Sequence, residues 1–358
     1  NAISRPIASI VGGASSQDAP RHCTAGPTTV RKAPGFGGFS SLTDGKKTKS
    51  GTDEDALQPS DPAEAGQPDT TQPDESKVED AQFEDLGATL NSVADEMKAA
   101  RTVQAGFLPR EIPPHPCYLV AAAWLPCEAT AGDYYDVIER EDGQLGLVIA
   151  DVSGKGMPAS ILASNIQAAL RAQCDTCDSP GLVLERINRQ IHASTDPEHF
   201  ATLFLAVFDP ATRDLLYSSG GHNSPVVMRA DGTHELLEAG GLPLGAFDSG
   251  TYDEGTVRLD DGDLLFLYTD GLTETKDPHG EEEYGEERMN TLLKENLEAD
   301  LEGLFRTVRD ALHDFSGRVD AEDDITMVGL KISLESRPAV AGSRAEVPEE
   351  KISPETQQ

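Results

Sequence analysis

The stretch LGLVIADVSGKGMPAS, Leu145–Ser160, decides the fold because it joins a buried strand to a helix through a charged turn. Five of its first six residues are apolar, which predicts a strand covered on both faces. Asp151 closes the strand, and Gly154 and Gly156 let the chain turn sharply before a helix that begins near Pro158. A strand that carries a charge to the rim of a sheet usually presents it to a ligand.

The chain of 358 residues divides by composition into a folded region between two polar ends. Residues 1–77 are rich in Ser, Thr, Gly, Pro and Asp without an apolar period, so we expect a disordered N-terminal tail. We expect residues 78–109 to form a helix leading into the domain, 110–334 to form one folded domain, and 335–358 to form a disordered C-terminal tail. The first residue is Asn rather than Met, which favours a longer protein with an upstream part.

Charge and cysteine content exclude several classes of protein. A formal net charge of −34 argues against nucleic acid or an anionic membrane as a partner, because phosphate groups would be repelled. No run of about 18 apolar residues occurs, so we expect no segment that spans a membrane. Five cysteines are an odd, sparse set that favours a reducing cytoplasm over a disulfide framework. Cys174 and Cys177 have the spacing of a metal or redox pair, but no matching second pair follows.

Apolar residues recur at intervals of three and four in the segment that leads into the domain, at Phe83, Leu86, Leu90, Val93, Met97 and Ala100. The spacing predicts a helix with a coiled-coil-like seam, which shifts to Val103 and Phe107 before Pro109 ends it. Two interpretations remain open. The seam packs on its own domain, or it packs against an upstream sensor or a second copy, giving a homodimer through residues 83–107.

Short strand-like runs recur from Tyr118 to Leu334, and Asp-Gly or Pro-rich turns separate many of them. Helical patterns come in two pairs, at Pro158–Gln173 with Gly181–Ala193 and at Glu286–Asn296 with Leu301–Phe315. Strands in blocks and helices in pairs are not a βαβ alternation. The predicted fold class is therefore α+β, with sheets covered by helices.

Aspartates stand at the ends of four separate strand-like runs. Asp151 and Asp270 each follow a buried apolar run, whereas Asp133 and Asp323 each stand before one. Such residues are commonly turn formers or helix caps. Four together are better explained by a hard divalent cation, because Mg²⁺ and Mn²⁺ prefer oxygen ligands. Two ions that share one aspartate would activate a water for phosphoester hydrolysis without a nucleophilic side chain.

The motifs around these aspartates resemble those of the SpoIIE/RsbU branch of the PPM-type metal-dependent serine/threonine phosphatases. They occur in the family's order and at about its distances, as AGDYYDV, ADVSGKGMPASILAS, FATLFLAVFD, YSSGGHNSPVV, LPLGAF, LLFLYTDGLTE and DDITMVGLKI, with ARTVQAGFLP upstream. The match covers about Asp95 to Leu334. The resemblance implies a two-layer antiparallel β-sandwich flanked by paired α-helices, with two Mn²⁺ or Mg²⁺ ions at one edge.

The resemblance, carried over position by position, assigns the metal-binding places to Asp133, Asp151, the Val152 carbonyl, Asp270 and Asp323. Asp136 and Asp324 are further candidates at positions where relatives vary. This chain has Lys155 where histidine is frequent in relatives. Members of this branch lack the arginine that grips phosphate in eukaryotic relatives, and the sequence shows no basic residue placed to replace it. Substrate affinity is therefore expected to rest mainly on protein contacts.

Together these inferences predict a cytoplasmic bacterial enzyme that removes phosphate from a phosphoserine or phosphothreonine of a regulatory protein. By resemblance, the substrate is a phosphorylated anti-sigma factor antagonist of the STAS fold. The alternative is a binding module whose weakened metal site only sequesters that partner, and the intact carboxylates favour the enzyme. We expect Ser153 to be a turn hydroxyl and His222 to be a hydrogen-bonded residue of a tight turn, rather than nucleophiles.

Overall fold

The computed structural model describes residues 75–109, 111–112, 114–174, 178–196, 198–318 and 321–333. The C-terminal tail and all but the end of the N-terminal tail therefore lie outside the described residues, as does Cys177 of the cysteine pair. The first helix, α1 Glu75–Ala105, begins inside the segment expected to be a tail. Its first residues include Glu and Lys, which are good helix formers and let the helix extend beyond the apolar seam.

Strands dominate the described domain, and the helices fall mainly into two pairs. The strands are β1 Tyr118–Leu125, β2 Tyr134–Glu139, β3 Leu145–Val152, β4 Ala201–Phe208, β5 Asp214–Gly220, β6 Val226–Met228, β7 His234–Leu236, β8 Gly240–Gly241, β9 Gly255–Arg258, β10 Leu264–Tyr268 and β11 Ile325–Ile332. The remaining helices are α2 Gly156–Cys174, α3 Pro180–Ser194, α4 Asp270–Thr273, α5 Gly285–Glu295 and α6 Leu301–Ser316.

The strands form two sheets, which confirms the α+β class and the two-sheet arrangement. Sheet I has the order β1-β11-β10-β6-β7, and sheet II has the order β2-β3-β4-β5-β8, with β9 also paired to β5. Neighbours are antiparallel except β5 and β8, which run parallel. Helices α2 and α3 pack on sheet II, and α6 packs on sheet I with α5 beside it.

Alternation along the strands divides the buried side chains into layers. In β1, Val120 and Trp124 belong to the central core between the sheets, whereas Ala121 packs in a second cluster with Phe305 of α6. Successive side chains of a strand point to opposite faces, so each strand of sheet I contributes to both layers. Both faces of the sheet are covered, and strand ends at the rim remain available for a site.

Three short elements were not predicted from the sequence. The residues of β7 are all exposed, and β8 consists of two glycines, so neither has an apolar alternation that could be recognised. Helix α4 begins at Asp270 itself, which the sequence had placed at the end of a strand. Strand β10 ends two residues earlier, at Tyr268.

Helix α1 leaves its apolar seam uncovered. Between residues 86 and 103 no side chain is buried, and Leu86, Leu90, Val93 and Val103 are exposed by 47–60%. The first buried side chain of this helix within the described part is Gln104. The described structure therefore does not show the seam packed on its own domain. No described helix combines the length and the apolar character that crossing a bilayer requires.

Candidate functional site

The four aspartates at strand ends meet at one rim of the sandwich. Asp133 precedes β2 and Asp151 lies in β3, so both belong to sheet II, whereas Asp270 follows β10 and Asp323 precedes β11 of sheet I. The negative charge of Asp151 acts on Asp133, and the charges of Asp270 and Asp323 act on Asp151. The structure therefore brings the predicted group together from both sheets.

Burial and mutual repulsion raise the pKa values of these carboxyl groups. Burial, and then the charge of Asp151, raises the pKa of Asp133 well above its usual range. Burial and the charges of Asp270 and Asp323 raise the pKa of Asp151 to about 7. Among the described residues, no lysine or arginine forms an ion pair with Asp133, Asp151 or Asp270. Buried carboxylates without a cationic partner are costly, and an all-oxygen group of this kind fits a hard divalent cation.

Two threonines of sheet I fix the carboxylate of Asp133. The hydroxyls of Thr269 and Thr326 both donate to its Oδ2, at 2.8 and 2.6 Å. The Thr326 backbone N–H donates in turn to the Thr269 hydroxyl at 2.9 Å. Because Asp133 precedes the first strand of sheet II, these bonds lock its orientation to the opposite sheet.

Glycines let the backbone approach this rim closely. A β-carbon at Gly132 would come within 2.8 Å of the Val152 carbonyl oxygen, so a side chain there would displace that carbonyl. This contact also places the Val152 carbonyl beside the residue preceding Asp133. A β-carbon at Gly271 would likewise clash with the carbonyl oxygen of Asp324.

Asp324 lies beside the group and braces two loops. Its Oδ1 accepts the Cys127 backbone N–H and its Oδ2 accepts that of Gly132, both at 2.8 Å. The Cys127 thiol, which the sequence analysis did not single out, offers its sulfur within 4.8 Å of carboxylate oxygens of Asp323 and Asp324. Burial and the charge of Asp324 raise the pKa of this thiol to about 12, so it is protonated at neutral pH.

Asp136 is not part of the group, and its candidacy as a metal ligand was wrong. Its side chain is fully buried, and Arg171 of α2 donates to both carboxylate oxygens, at 2.7 and 2.8 Å. The Tyr134 hydroxyl donates to Oδ2 at 2.5 Å. Asp136 shares a strand face with Tyr134, opposite to the direction in which Asp133 points, because the side-chain period of a strand is two. The carboxylate of Asp136 therefore joins β2 to helix α2 through Arg171 instead of facing the carboxylate group.

Lys155 is a cation at the site that the sequence analysis did not recognise. Its Nζ lies 2.9 Å from Asp323 Oδ2 and donates to the Glu322 carbonyl at 2.7 Å. Lys155 and Glu322 are 167 residues apart in the sequence, so only the fold reveals the contact. The one available signal was its place in the turn directly after Asp151.

Ser153 and His222 have the structural roles expected of them. The Ser153 hydroxyl accepts the Phe200 N–H at 3.0 Å and donates to the Glu198 carbonyl at 3.3 Å. Burial lowers the pKa of His222 to about 4, so the ring is neutral at pH 7.

The ring of His222 connects the two sheets. Its Nδ1 lies 2.8 Å from the hydroxyl of Thr202 in β4, and its Nε2 lies 3.1 Å from the Tyr268 carbonyl of β10. A neutral ring satisfies both contacts when Nε2 carries the proton, donates to Tyr268 and lets Nδ1 accept from Thr202. Both nitrogens are then occupied, which leaves neither for nucleophilic attack.

Comparison with known proteins adds relatives in sequence and in fold. The family model described as Stage II sporulation protein E (SpoIIE) matches residues 141–333. Phosphoserine phosphatase RsbU of Bacillus subtilis is 29% identical over 251 residues, which cover 68% of this chain and 73% of RsbU. Protein IcfG of Synechocystis sp. is 27% identical, and the match covers 66% of this chain but 41% of IcfG. In fold, the SiaA-PP2C domain of Pseudomonas aeruginosa matches 68% of this chain and 98% of its own, with a TM-score of 0.60 and 20% identity.

Proposed function

Because the chain belongs to the SpoIIE family and is a metal-dependent serine/threonine phosphatase, we propose that it removes phosphate from phosphoserine or phosphothreonine of a regulatory protein. The observation that carries the proposal is the set of three carboxylates, Asp133, Asp151 and Asp270, that lie at the rim of the sandwich without an ion pair to a lysine or arginine among the described residues. Such a group needs positive charge, and a phosphatase that relies on metal ions needs such a group.

We propose that Mn²⁺ or Mg²⁺ ions, two in number, are held by Asp133, Asp151, the Val152 carbonyl, Asp270 and Asp323. The donors are all oxygens, which hard cations prefer. The raised pKa values support this assignment, because carboxylates that repel one another gain most from a cation placed between them. When bound, the ions supply a water of lowered pKa and withdraw negative charge from the phosphoryl group.

The protein's own residues keep this arrangement rigid. Thr269 and Thr326 orient Asp133, and Asp324 fixes the loop that contains Gly132. The hydroxyl of Ser153 is engaged in two hydrogen bonds to the backbone, which supports hydrolysis by water without a phosphorylated side chain. In this proposal these residues position the metal ligands, and none of them forms a covalent bond to the phosphoryl group.

The partner in this proposal is a phosphorylated STAS-type antagonist of an anti-sigma factor, and the catalytic domain forms a homodimer through the helix at residues 83–107. The exposed seam of α1 supports the dimer, because large apolar residues at helical spacing usually pack against another surface. The free thiols of Cys117 and Cys127 among the described residues support a reducing cytoplasm as the compartment.

The test is hydrolysis by the full chain of para-nitrophenyl phosphate and of phosphoserine and phosphothreonine peptides, with Mn²⁺, with Mg²⁺ and with EDTA. We expect turnover only with metal. Under single-turnover conditions in ¹⁸O-labelled water, the label should appear directly in the released phosphate. Metal-independent turnover, or a phosphoenzyme trapped by acid, would contradict the proposal.

A further inference from the structure

We propose that Lys155 contacts the phosphate, with its ammonium group binding the phosphoryl oxygens of the substrate at the mouth of the carboxylate group. The inference rests on the proposed function, and it adds a phosphate-binding residue to the set expected to hold metal. It also replaces the expectation that no basic residue is placed to grip the phosphate.

The local backbone directs Lys155 across the rim. It lies in the turn between β3 and α2, directly between Gly154 and Gly156, whose φ angles are +91° and +68°. Residues with a β-carbon rarely adopt such angles, so the two glycines fix a sharp turn immediately after Asp151. The Lys155 side chain leaves this turn and reaches the loop before β11, where it meets Glu322 and Asp323.

Among the described residues, Lys155 is the basic residue paired with one of the four aspartates. A second basic residue, Arg171, is committed to Asp136 on the far face of β2. Lys276 and Arg318 line the same cleft, but within the described residues only Lys155 forms an ion pair with one of the four aspartates.

The ammonium group is accessible to an incoming anion. Lys155 and Asp323 line an open cleft together with Gly271 and Glu274. The side chain of Lys155 is 42% exposed and that of Asp323 is 44% exposed, so the pair can separate without unfolding. A lysine is a flexible point charge with three donors, and it can turn from a carboxylate to a phosphate through rotation of its side chain.

Electrostatics favours a cation at this position. A phosphorylated side chain carries a charge of about −1.5 to −2 at neutral pH and must approach a rim formed by several carboxylates. In phosphoryl transfer, negative charge is spread over the peripheral oxygens, and a positioned ammonium stabilises it. The alternative is that Lys155 only positions Asp323 through their ion pair.

The experiment separates these two roles by measuring phosphate binding, metal binding and turnover in the full chain. The variants are Lys155→Met, which removes the charge, and Lys155→Arg, which retains it. Lys276→Met is the matched control, because Lys276 lines the same cleft but is not paired with any of the four aspartates within the described residues. Binding of inorganic phosphate to the Mn²⁺-saturated protein is measured by calorimetry, which does not depend on turnover.

We expect Lys155→Met to weaken phosphate binding about tenfold or more and to lower kcat/KM for both small and peptide substrates. Its Mn²⁺ affinity should be retained, Lys155→Arg should recover part of both losses, and Lys276→Met should resemble the wild type. Unchanged phosphate affinity in Lys155→Met would overturn the inference while leaving a working phosphatase. A loss of phosphate affinity accompanied by a comparable loss of Mn²⁺ affinity would reduce Lys155 to a residue that positions Asp323 and would also overturn the inference. A wild type without turnover would instead refute the proposed function, and phosphate binding would still test Lys155.

Discussion

Asp133 and Asp136 stand three residues apart, and the pleat of strand β2 gives them opposite environments. Asp133 joins the carboxylate group, and its Oδ2 accepts the hydroxyls of Thr269 and Thr326. Asp136 has the same chemistry but forms two bonds with Arg171. At the residue scale, then, the function of a carboxylate depends on which charges the fold places beside it.

An aspartate without a basic partner and one paired with arginine should respond in opposite ways to substitution by asparagine. Asp151→Asn should abolish metal-dependent hydrolysis, because a ligand expected to serve both ions loses its charge. The metal-free variant should be at least as stable as the wild type at pH 8, because the substitution removes a charge that burial and repulsion both disfavour, as the raised pKa of Asp151 of about 7 indicates. Urea denaturation with and without EDTA measures both parts.

Asp136→Asn is the matched control for Asp151→Asn. It should lower the free energy of unfolding by roughly 2 kcal/mol, because it removes charge-assisted hydrogen bonds from a buried position. Calorimetric Mn²⁺ affinity should stay close to that of the wild type. Activity above about a tenth of wild type in Asp151→Asn, a loss of less than ~1.4 kcal/mol in transition-state stabilisation, would show that Asp151 is not shared by both ions.

A second prediction at this scale concerns pH and His222. Its folded pKa of about 4 lies below the ordinary 6.5, so the unfolded chain binds a proton more readily between these values. The stabilising contribution of the neutral ring is complete above pH 6.5 and is lost as pH falls. At pH 5.5 the loss is about 1.4 kcal/mol relative to pH 7.5.

The measurement compares the free energies of unfolding of the wild type and His222→Gln at pH 7.5 and 5.5, so that the titration of the site carboxylates cancels. The difference between the two proteins should shrink by the stated amount at the lower pH. The same substitution at the exposed His234 is the matched control. Parallel pH profiles for wild type and His222→Gln would mean that the buried ring is not neutral in the way the contacts require.

At the scale of elements, the side chain of Gln104 joins α1 to the site. The Gln104 amide donates to the Ala131 carbonyl at 2.6 Å and its Oε1 accepts the Ala131 N–H at 3.0 Å. Ala131 lies two residues before Asp133, so the end of the helix is tied to the start of the carboxylate group. A change in the direction of α1 can reach the site through these two bonds.

Gln104→Ala should therefore weaken Mn²⁺ binding and lower kcat/KM by about tenfold, a change of ~1.4 kcal/mol, while leaving the helix itself intact. Circular dichroism, Mn²⁺ calorimetry and steady-state kinetics measure the three quantities. Thr102→Ala is the control, because this exposed hydroxyl donates only within the helix, to the Lys98 carbonyl. Equal kinetics for the two variants would show that α1 is not coupled to the metal site by Gln104.

Elements with a strong apolar pattern could be predicted from the sequence, and those without one could not. Strand β2 has the bounds of the predicted run YYDVIE, and α6 Leu301–Ser316 differs from its prediction by one residue. The four aspartates were recognisable because each adjoins an apolar run. Lys155 was not, because its partner lies in a distant loop, and Asp136 was assigned wrongly because nothing in the sequence shows which charge faces it.

At the scale of the whole molecule, the exposed seam of α1 predicts association. Leu90→Glu combined with Val93→Glu places charges at positions exposed by 60% and 47%, so it should not disturb the fold of the domain. If the seam forms a dimer, the variant should be monomeric in analytical ultracentrifugation and less active, with dimerisation contributing roughly 1–3 kcal/mol to the competent state. Thr89→Glu, which introduces a charge at a neighbouring exposed position, is the control for added charge.

Two results would contradict this prediction. A monomeric variant that remains fully active would remove the coupling between association and catalysis. A wild type that is already monomeric at micromolar concentration would assign the seam to a different partner, since the described part of the domain does not cover it.

The pairing of β1 with β11 determines when the nascent chain can complete sheet I. Tyr118 pairs with Ile332 and Leu125 with Ile325. The first strand of the domain therefore cannot pair until the last one has been synthesised. Asp133 also lacks a hydrogen-bond donor until then, because Thr326 belongs to that last strand and lies 193 residues further along. Sheet I cannot be completed, and the carboxylate group at the rim cannot assemble, before β11 has left the exit tunnel. The carboxylate group is therefore incomplete until the final strand is in place, and we expect a chain truncated before β11 to lack metal-dependent turnover.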